Sequence, residues 1–327
     1  MRKVIKAGFL GAGDIADLHA AGMRACPQAE LTGIYDIDGE KATAKAQQYG
    51  CRSFNSCEEM LADQEIDAVF VLTPLEEHHD GVVLALEAGK HVLVEKPAAV
   101  NIDQIKNMQR AASAAGKVCM PVHNYLYEDS VTRTRELLDS GRLGELVAIY
   151  VLYNIHHPEH VAERYPGVVR QILTHHAYIT LHLGGSPKRV MAMASTINDG
   201  SVAKENLAMA MLELEGGALA HLQASFAADD HTADNWTFAI KVVGTEGATR
   251  FSHADWVQNA PAAVHSHTYS AYHYSIGNTA RFFIERCLIA GEDPLSSLED
   301  AISCQRIIEG IEDSLDSGRG VCLQGKA

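Results

Sequence analysis

Short apolar runs alternate with amphipathic segments over the first 115 residues of the chain. The first run, Val4–Leu10, ends in Gly-Ala-Gly, and similar runs recur after intervening helical patterns. The pattern predicts strands at 4–10, 30–35, 68–72 and 91–94, with helices at 15–25, 39–49, 81–87 and 101–115. Continuous apolar strands separated by helices are typical of a parallel sheet that is covered on both faces.

From about His123 the pattern changes to longer strands with turn glycines between them. It predicts a helix at 130–138, strands at 146–153, 207–214, 218–226 and 237–243, and helices at 281–289 and 297–315. The change predicts two domains, residues 1–122 and 123–327. The C-terminal helices are expected to pack back on the first domain.

Composition excludes several classes of partner. The 327 residues carry a formal net charge of −15, so we expect neither nucleic acid nor an anionic membrane surface to bind. No apolar stretch approaches the roughly 20 residues that a membrane span needs. The seven cysteines are scattered without a C-x-x-C pair, which favours reduced thiols and a cytoplasmic location.

A glycine-rich turn follows the first predicted strand. Residues 11–16 read Gly-Ala-Gly-Asp-Ile-Ala, a G-x-G-x-x-A pattern between a strand and a helix. Gly11 permits the tight turn, and Gly13 lets a pyrophosphate approach the backbone at the helix N-terminus. Asp36 follows the second strand, where a carboxylate hydrogen-bonds an adenosine ribose. The pattern predicts a dinucleotide site, and Asp36 favours NAD over NADP because it repels a 2′-phosphate.

Further motifs follow the third and fourth predicted strands. They are Thr73-Pro74-Leu75-Glu76-Glu77-His78 and, ending at Pro97, LEAGKHVLVEKP. Asn124, LLDSGRLGELVAI at 137–149, HHAYITLHLGGSPKRV at 175–190 and a long last helix come after them in order. This ordered set resembles the Gfo/Idh/MocA oxidoreductases, a family named for glucose–fructose oxidoreductase and inositol dehydrogenase, over essentially the whole chain.

The resemblance implies an α/β fold, with an N-terminal Rossmann parallel sheet and a C-terminal α/β domain built on a large, mostly antiparallel open sheet. It places Lys96 of the EKP motif near the nicotinamide, aimed by a cis peptide bond at Pro97. A lysine there can hydrogen-bond the substrate oxygen and stabilise developing negative charge. The expected cofactor-binding residues are Gly11, Gly13, Asp14, Ile15, Asp36, Thr73, Pro74, His78, Glu95 and Asn124.

One motif of the family is present only in part. Many members carry an Asp and, four residues later, a His in a D-x-G-x-H pattern that performs acid–base chemistry on the substrate hydroxyl. Alignment on the downstream Gly-Gly-Ser-Pro places Gln171 at the Asp and His175 at the His. On a helix Gln171 can still orient His175, but it cannot stabilise an imidazolium by charge. We therefore expect Lys96 to carry more of the proton transfer.

The chain has 17 histidines, three of them in His156-His157-Pro158-Glu159-His160. One hypothesis is that this cluster, together with His175, binds a metal ion. Because Pro158 interrupts the segment and no H-x-x-x-H pair is present, we expect no metal. The expected substrate-binding residues are His176, His157, Tyr153 and Tyr272, the last in a polar-aromatic stretch that suits a loop closing on a polyol.

The sequence thus predicts an NAD-dependent oxidoreductase that transfers a hydride between nicotinamide and a secondary alcohol or hemiacetal carbon of a sugar or cyclitol. Two alternatives stay open: a redox-assisted glycoside hydrolase or lyase without net cofactor turnover, and a non-catalytic nucleotide-sensing protein. The expected partner is a small sugar or polyol. An open sheet that is apolar on both faces also predicts a homo-oligomer, either a dimer or a tetramer.

Overall fold

The structure is a computed structural model that describes residues 3–157, 163, 165–197, 204–228, 236–252, 256–260, 263–267 and 272–323, with the backbone alone at 236, 256–260 and 263–267. Its contacts divide the chain into two units, residues 1–128 with 272–302 and residues 129–271 with 303–327. The domain borders proposed from the sequence, 1–122 and 123–327, stay a prediction.

The first unit contains a six-stranded parallel sheet with the order β3-β2-β1-β4-β5-β6. Its strands are β1 Ile5–Leu10, β2 Ala29–Tyr35, β3 Arg52–Ser53, β4 Ala68–Val71, β5 His91–Val94 and β6 Cys119–Pro121. The helices between them are α1 Asp14–Arg24, α2 Gly39–Tyr49, α3 Cys57–Ala62, α4 Leu75–Glu87 and α5 Ile102–Ala115. This order confirms the Rossmann sheet and puts its switch point between β1 and β4, where such sheets bind ligands at the carboxyl ends of their strands.

Burial and capping explain these elements. The four residues of β4 are apolar and have no exposed surface, since helices cover both faces of a parallel sheet. At the start of α5 the Asn101 side chain accepts a hydrogen bond from Gln104 N, and Gly116 ends the helix at a φ of +61°. An asparagine cap followed by a left-handed glycine is therefore what bounds this helix.

The second unit contains a nine-stranded sheet with the order β14-β13-β12-β11-β7-β10-β9-β8-β15, in which β7 and β10 are parallel and the other pairs antiparallel. Its strands are β7 Leu146–Ile155, β8 Pro187–Ser195, β9 Leu207–Leu214, β10 Leu219–Ser225, β11 Trp236–Gly244, β12 Ala248–Ser252, β13 Trp256–Ala260, β14 Ala263–His267 and β15 Val321–Cys322. Helices α6 Asp129–Asp139 and α7 Thr174–Gly184 belong to the same unit. The expected large, mostly antiparallel sheet is confirmed.

The two faces of this sheet differ in exposure. Side chains such as Leu212 and Leu222 are buried, and α7 packs on that side, where its Gly184 meets Leu214 and Ile149. The other face exposes apolar side chains: Tyr150, Met191, Met193, Met209, Met211 and Leu219. Register places Met191 opposite Met211 and Met193 opposite Met209, so the four methionines form one continuous patch.

Residues 272–302 pack with the first unit. They form α8 Tyr272–Phe282, a π-helical segment Phe283–Ile289 and the first turn of α9 Leu298–Ser317. Helix α8 approaches α1 closely, since a Cβ on Gly22 would lie 2.7 Å from the Cα of Gly277. The predicted loop at Tyr272 is wrong, because Tyr272 begins α8. The residues that follow form one buried helix face, which consists of Ser275, Ile276, Thr279 and Ala280.

Within the described parts of the chain, no helix is both long enough and apolar enough to cross a lipid bilayer.

Candidate active site

The glycine turn joins β1 to α1 at the switch point. Gly11 has a φ of +109°, and a Cβ there would lie 2.7 Å from the carbonyl oxygen of Leu72, so only glycine fits. Gly13 is the N-cap of α1, where no side chain caps the helix, and a Cβ on it would meet no atom within 4 Å among the described residues. An uncapped helix N-terminus that faces open space fits the pyrophosphate of a dinucleotide.

Asp36 follows β2 and lies against the glycine turn. Its Oδ2 accepts a hydrogen bond from Ala12 N at 2.7 Å, and its Oδ1 accepts one from Asp38 N at 2.9 Å. These bonds fix the carboxylate beside the turn. The next residue, Ile37, is 94% exposed. Sequence reasoning missed Ile37, because only the structure shows that this apolar side chain is left uncovered.

Lys96 follows β5 and precedes Pro97 through a cis peptide bond, as the family resemblance implies. Burial lowers the pKa of Lys96 to about 8, although the charge of Glu95 opposes this shift. A lysine with a pKa this close to neutrality can exchange a proton with a substrate in either direction. Burial, with the positive charge of Lys96, also lowers the pKa of His123 to about 3, which keeps His123 neutral.

His78 lies between the segments that follow β4 and β5. Its Nδ1 lies 2.8 Å from the carbonyl oxygen of Pro97, and its Nε2 lies 2.9 Å from the carbonyl oxygen of Thr73. The ring is buried, and burial lowers its pKa. His78 therefore connects the EKP turn after β5 to the Thr73–Pro74 segment after the neighbouring strand β4, a connection that no local sequence pattern reveals.

Asn124 begins a short 3₁₀ helix, Asn124–Tyr127, directly after β6. Its Nδ2 donates a hydrogen bond to Ser275 Oγ at 2.6 Å, and Ser275 in turn bonds the carbonyl oxygen of Tyr272. The ring of Tyr125 lies 5.9 Å from the ring of Tyr272. The structure thus brings together Asn124 and Tyr272, which the sequence analysis had assigned to cofactor and substrate.

The second unit carries the remaining candidates, and His175 lies in the first turn of α7. Its Nδ1 is 2.7 Å from Tyr178 Oη, and both residues are buried. Gln171 lies before α7 in a π-helical segment, Val169–Leu173, whose wider turn offsets residues four apart. Sequence reasoning missed Tyr178, because a tyrosine at helical spacing is more often a core residue than a partner of a histidine.

Three expected substrate-binding residues lie against aromatic rings of the second unit. The His176 ring is 6.5 Å and the Tyr153 ring 6.3 Å from the ring of Phe238, and the His157 ring is 4.7 Å from Phe226. Neither ring nitrogen of His176 has a hydrogen-bond partner among the described residues. Burial lowers the pKa of His176 to about 3 and raises the pKa of Tyr153. These groups stay uncharged at neutral pH.

The described residues contain no group of three or more His, Cys, Asp or Glu side chains that could hold a metal ion. Pro158, Glu159 and His160 of the histidine cluster lie outside those residues. The expectation that the cluster binds no metal therefore stays a prediction.

Comparison with known proteins identifies the family. Residues 5–123 match the oxidoreductase family with an NAD-binding Rossmann fold called GFO_IDH_MocA, and residues 131–250 match the GFO/IDH/MocA C-terminal domain. The chain belongs to the GFO/IDH/MocA oxidoreductase family.

Two relatives are similar to this chain in sequence, and one solved structure is similar to it in fold. The chain is 28% identical over 250 residues to 1,5-anhydro-D-fructose reductase of Ensifer adhaerens, covering 74% of each protein. It is 25% identical over 341 residues to D-apiose dehydrogenase of Paraburkholderia graminis, covering 98% of this chain and 90% of that one. The structure of levoglucosan dehydrogenase with NADH and levoglucosan has the same fold, with a TM-score of 0.89 at 20% identity over 99% of this chain and 100% of that one.

Proposed function

We propose that the protein is an NAD-dependent dehydrogenase that transfers a hydride between nicotinamide and a secondary alcohol or hemiacetal carbon of a sugar or cyclitol. The observation that carries this proposal is Lys96 at the carboxyl end of β5, with its pKa lowered to about 8, in a unit whose glycine turn fits a dinucleotide. The names of the relatives, a reductase of an anhydrosugar and a dehydrogenase of a sugar, support the substrate class.

The formation of NADH by the purified protein over a panel of sugars and cyclitols tests this function. NADH that accumulates in proportion to one oxidised substrate supports the dehydrogenase. Cleavage of a glycoside without net change in NADH indicates the redox-assisted hydrolase or lyase instead. A protein that binds NAD tightly and turns over no member of the panel contradicts the proposal and favours a nucleotide-sensing role.

The dinucleotide is assigned to the first unit. Gly13, Asp14 and Ile15 hold the pyrophosphate at the N-terminus of α1, and the exposed Ile37 offers an apolar face to the adenine. At the other end, the cofactor-binding role is assigned to the strand-end residues: Thr73, Pro74, His78, Glu95 and Asn124. When bound, the nicotinamide supplies the hydride acceptor, and these residues bind and orient it.

Asp36→Asn is expected to relax the preference for NAD over NADP. The amide keeps an acceptor for Ala12 N but loses the charge that repels a 2′-phosphate, so the ratio of kcat/KM for the two cofactors should fall by roughly tenfold, about 1.4 kcal/mol. Asp38→Asn is the matched control, because Asp38 caps α2 through Lys41 N. An unchanged ratio in Asp36→Asn would show that this carboxylate does not meet the ribose.

Proton transfer is assigned to Lys96, with His175 as a second acid–base group. In oxidation the substrate hydroxyl loses its proton while the hydride leaves, and the neutral Lys96 amine accepts that proton. Gln171 and Tyr178 orient His175 without contributing charge, which suits a histidine that assists rather than dominates.

Tyr178→Phe should lower kcat by roughly tenfold with little change in KM, because it removes the hydroxyl partner of His175 Nδ1 and loosens an acid–base group. Steady-state kinetics measure this split. Tyr49→Phe is a suitable control, since it removes a phenolic hydroxyl on α2 that donates a hydrogen bond to Asp17 on α1. Wild-type kcat in Tyr178→Phe would mean that His175 does not depend on this hydroxyl.

The subunit interface of a homo-oligomer is assigned to the exposed methionine face of the second sheet. Met191, Met193, Met209 and Met211 are between 42% and 76% exposed, and a continuous apolar patch of this kind marks an interaction surface. Size-exclusion chromatography with light scattering should give a dimer or tetramer, and Met193→Lys should weaken it. A monomer at micromolar concentration contradicts this assignment.

A cytoplasmic location is proposed from the cysteines. All seven are free thiols, the state that a reducing compartment maintains. Recovery of the native protein from the membrane or periplasmic fraction of the source cells would contradict it.

A further inference from the structure

Glu95 of the EKP motif has a buried partner in α1. Its Oε1 lies 2.8 Å from His19 Nε2, and its Oε2 accepts a hydrogen bond from Lys96 N at 3.1 Å. Glu95 is 7% exposed and His19 has no exposed surface. A buried carboxylate is costly unless its oxygens are paired, so these two contacts are what hold it in place.

The surroundings of His19 indicate which proton it carries. Its Nδ1 is buried and has no hydrogen-bond partner among the described residues, so a proton on that atom would be left unpaired. The neutral tautomer with its proton on Nε2 donates to Glu95 and leaves only a lone pair unused. The His19–Glu95 pair therefore carries a single negative charge, located on Glu95.

The charge state of Glu95 agrees with this assignment. Burial by itself raises the pKa of Glu95, but the hydrogen bond that it accepts from His19, the charge of Lys96 and the hydrogen bond from Lys96 N together hold that pKa below its ordinary value. In turn, the Glu95 carboxylate raises the pKa of Lys96 against the opposing effect of burial. The three side chains are thus coupled in the order His19, Glu95, Lys96.

Two aromatic rings pack against the imidazole of His19. Phe9 on β1 and Phe70 on β4 meet it edge-on, with ring centroids 6.4 Å and 5.6 Å from that of His19. Packing of this kind holds the plane of the ring and gives the contact with Glu95 a low-dielectric environment, which strengthens it.

His19 therefore links two parts of the first unit that serve different tasks. It lies on α1, whose N-terminus begins at the glycine turn, and it binds the residue that precedes Lys96. We propose that His19 is a positioning residue, which holds the Glu95 carboxylate so that this carboxylate keeps the Lys96 ammonium charged and in place. The inference rests on the proposed function and deepens it, by giving Glu95 a task beyond contact with the dinucleotide.

The test compares His19→Leu with His19→Gln in the full-length protein with NAD. Leucine fills much of the same space and donates nothing, whereas the glutamine amide can still donate to Glu95. For His19→Leu we expect the midpoint of the pH profile of kcat for alcohol oxidation to fall by roughly one pH unit, because Lys96 loses a stable negative neighbour. The plateau of kcat should fall about tenfold through misplacement of Lys96. His19→Gln should restore both values in large part.

His79→Leu is the matched control, because His79 is a histidine of the same unit that pairs with Asp80 and Asn107. It should leave the midpoint unchanged. If His19→Leu does not fold, Glu95→Gln carries the test, and it should give the same downward shift of the midpoint. A merely structural role would lower the melting temperature and leave the midpoint of the pH profile where it is in the wild type, and that result overturns the inference.

The two proposals fail in different ways. If the wild-type protein oxidises no substrate, or if its pH midpoint persists in Lys96→Met, the proposed function itself is wrong. If the wild type is active and loses its midpoint in Lys96→Met, but His19→Leu and Glu95→Gln keep the wild-type profile, only the role of His19 is wrong.

Discussion

Lys96→Met is expected to lower kcat for alcohol oxidation by at least ~10², because it removes the group that accepts the hydroxyl proton and stabilises charge on the substrate oxygen. Methionine has a similar length and no charge, so the strand end keeps its packing. The dissociation constant of NAD should change by less than about threefold, since the interactions lost are made with the reacting atoms. Steady-state kinetics and calorimetric titration with NAD measure the two effects, and wild-type turnover would dismiss the assignment.

The pH dependence of the reaction rates provides a second test of the role of Lys96. Burial lowers its pKa to about 8, so the neutral amine accumulates above that pH and the ammonium below it. Oxidation needs a proton acceptor and should accelerate as the pH rises through about 8, whereas reduction needs a donor and should slow over the same range. Both transitions should vanish in Lys96→Met and persist in Lys117→Met, a control that precedes β6 and so lies at the amino ends of the parallel strands. Transitions that survive in Lys96→Met would belong to another group.

Gly13→Ala is expected to separate folding from cofactor binding. The backbone of Gly13 has φ −67° and ψ 179°, which alanine adopts freely, and the added methyl group would enter open space. The melting temperature without cofactor should therefore stay close to that of the wild type. The dissociation constant of NAD should rise by at least roughly tenfold, about 1.4 kcal/mol, because the methyl group takes the place of the pyrophosphate.

Gly11→Ala is the contrasting variant. Here the φ of +109° and the approach to the Leu72 carbonyl oxygen oppose a side chain in the folded protein itself. We expect a loss of stability of about 1–3 kcal/mol or more, visible in thermal unfolding without cofactor. Wild-type affinity for NAD in Gly13→Ala would place the dinucleotide elsewhere, whatever Gly11→Ala does.

Local patterns predicted much of the first unit. The spans of α2 and β5, 39–49 and 91–94, agree with the structure to the residue, because polar caps or breakers flank a clear periodic pattern. Helix α4 begins at Leu75, six residues before the predicted start at Gly81. The pattern missed this first part because it is polar, while Pro74 at the N-cap supplies a start signal that does not depend on hydrophobicity.

Contacts between distant residues could not be predicted in the same way. His19 and Glu95 are 76 residues apart, and Asn124 and Ser275 are 151 apart. Each residue alone reads as an ordinary helix or loop position, and only the fold brings the partners together. The sequence could therefore nominate Lys96, but it could not show what holds Glu95 beside it.

The segment before His175 shows a different reason why the sequence did not predict the local structure. The spacing of Gln171 and His175 reads as one face of an α-helix, and a π-helical segment occupies 169–173 instead. Since π-helical turns are rare, the spacing favours an α-helix, which is the wrong local geometry here. The hydroxyl of Tyr178, three residues after His175, became visible as its partner only in the structure.

A crystal structure of the protein with NADH and a polyol that it oxidises would show whether Lys96 lies at the reacting atoms. We expect Lys96 Nζ to lie about 3 Å from the reacting hydroxyl oxygen, beside the nicotinamide, as a proton-transfer partner must. An Nζ turned into bulk solvent, beyond hydrogen-bond reach of both the polyol and the pyridine ring, would contradict it.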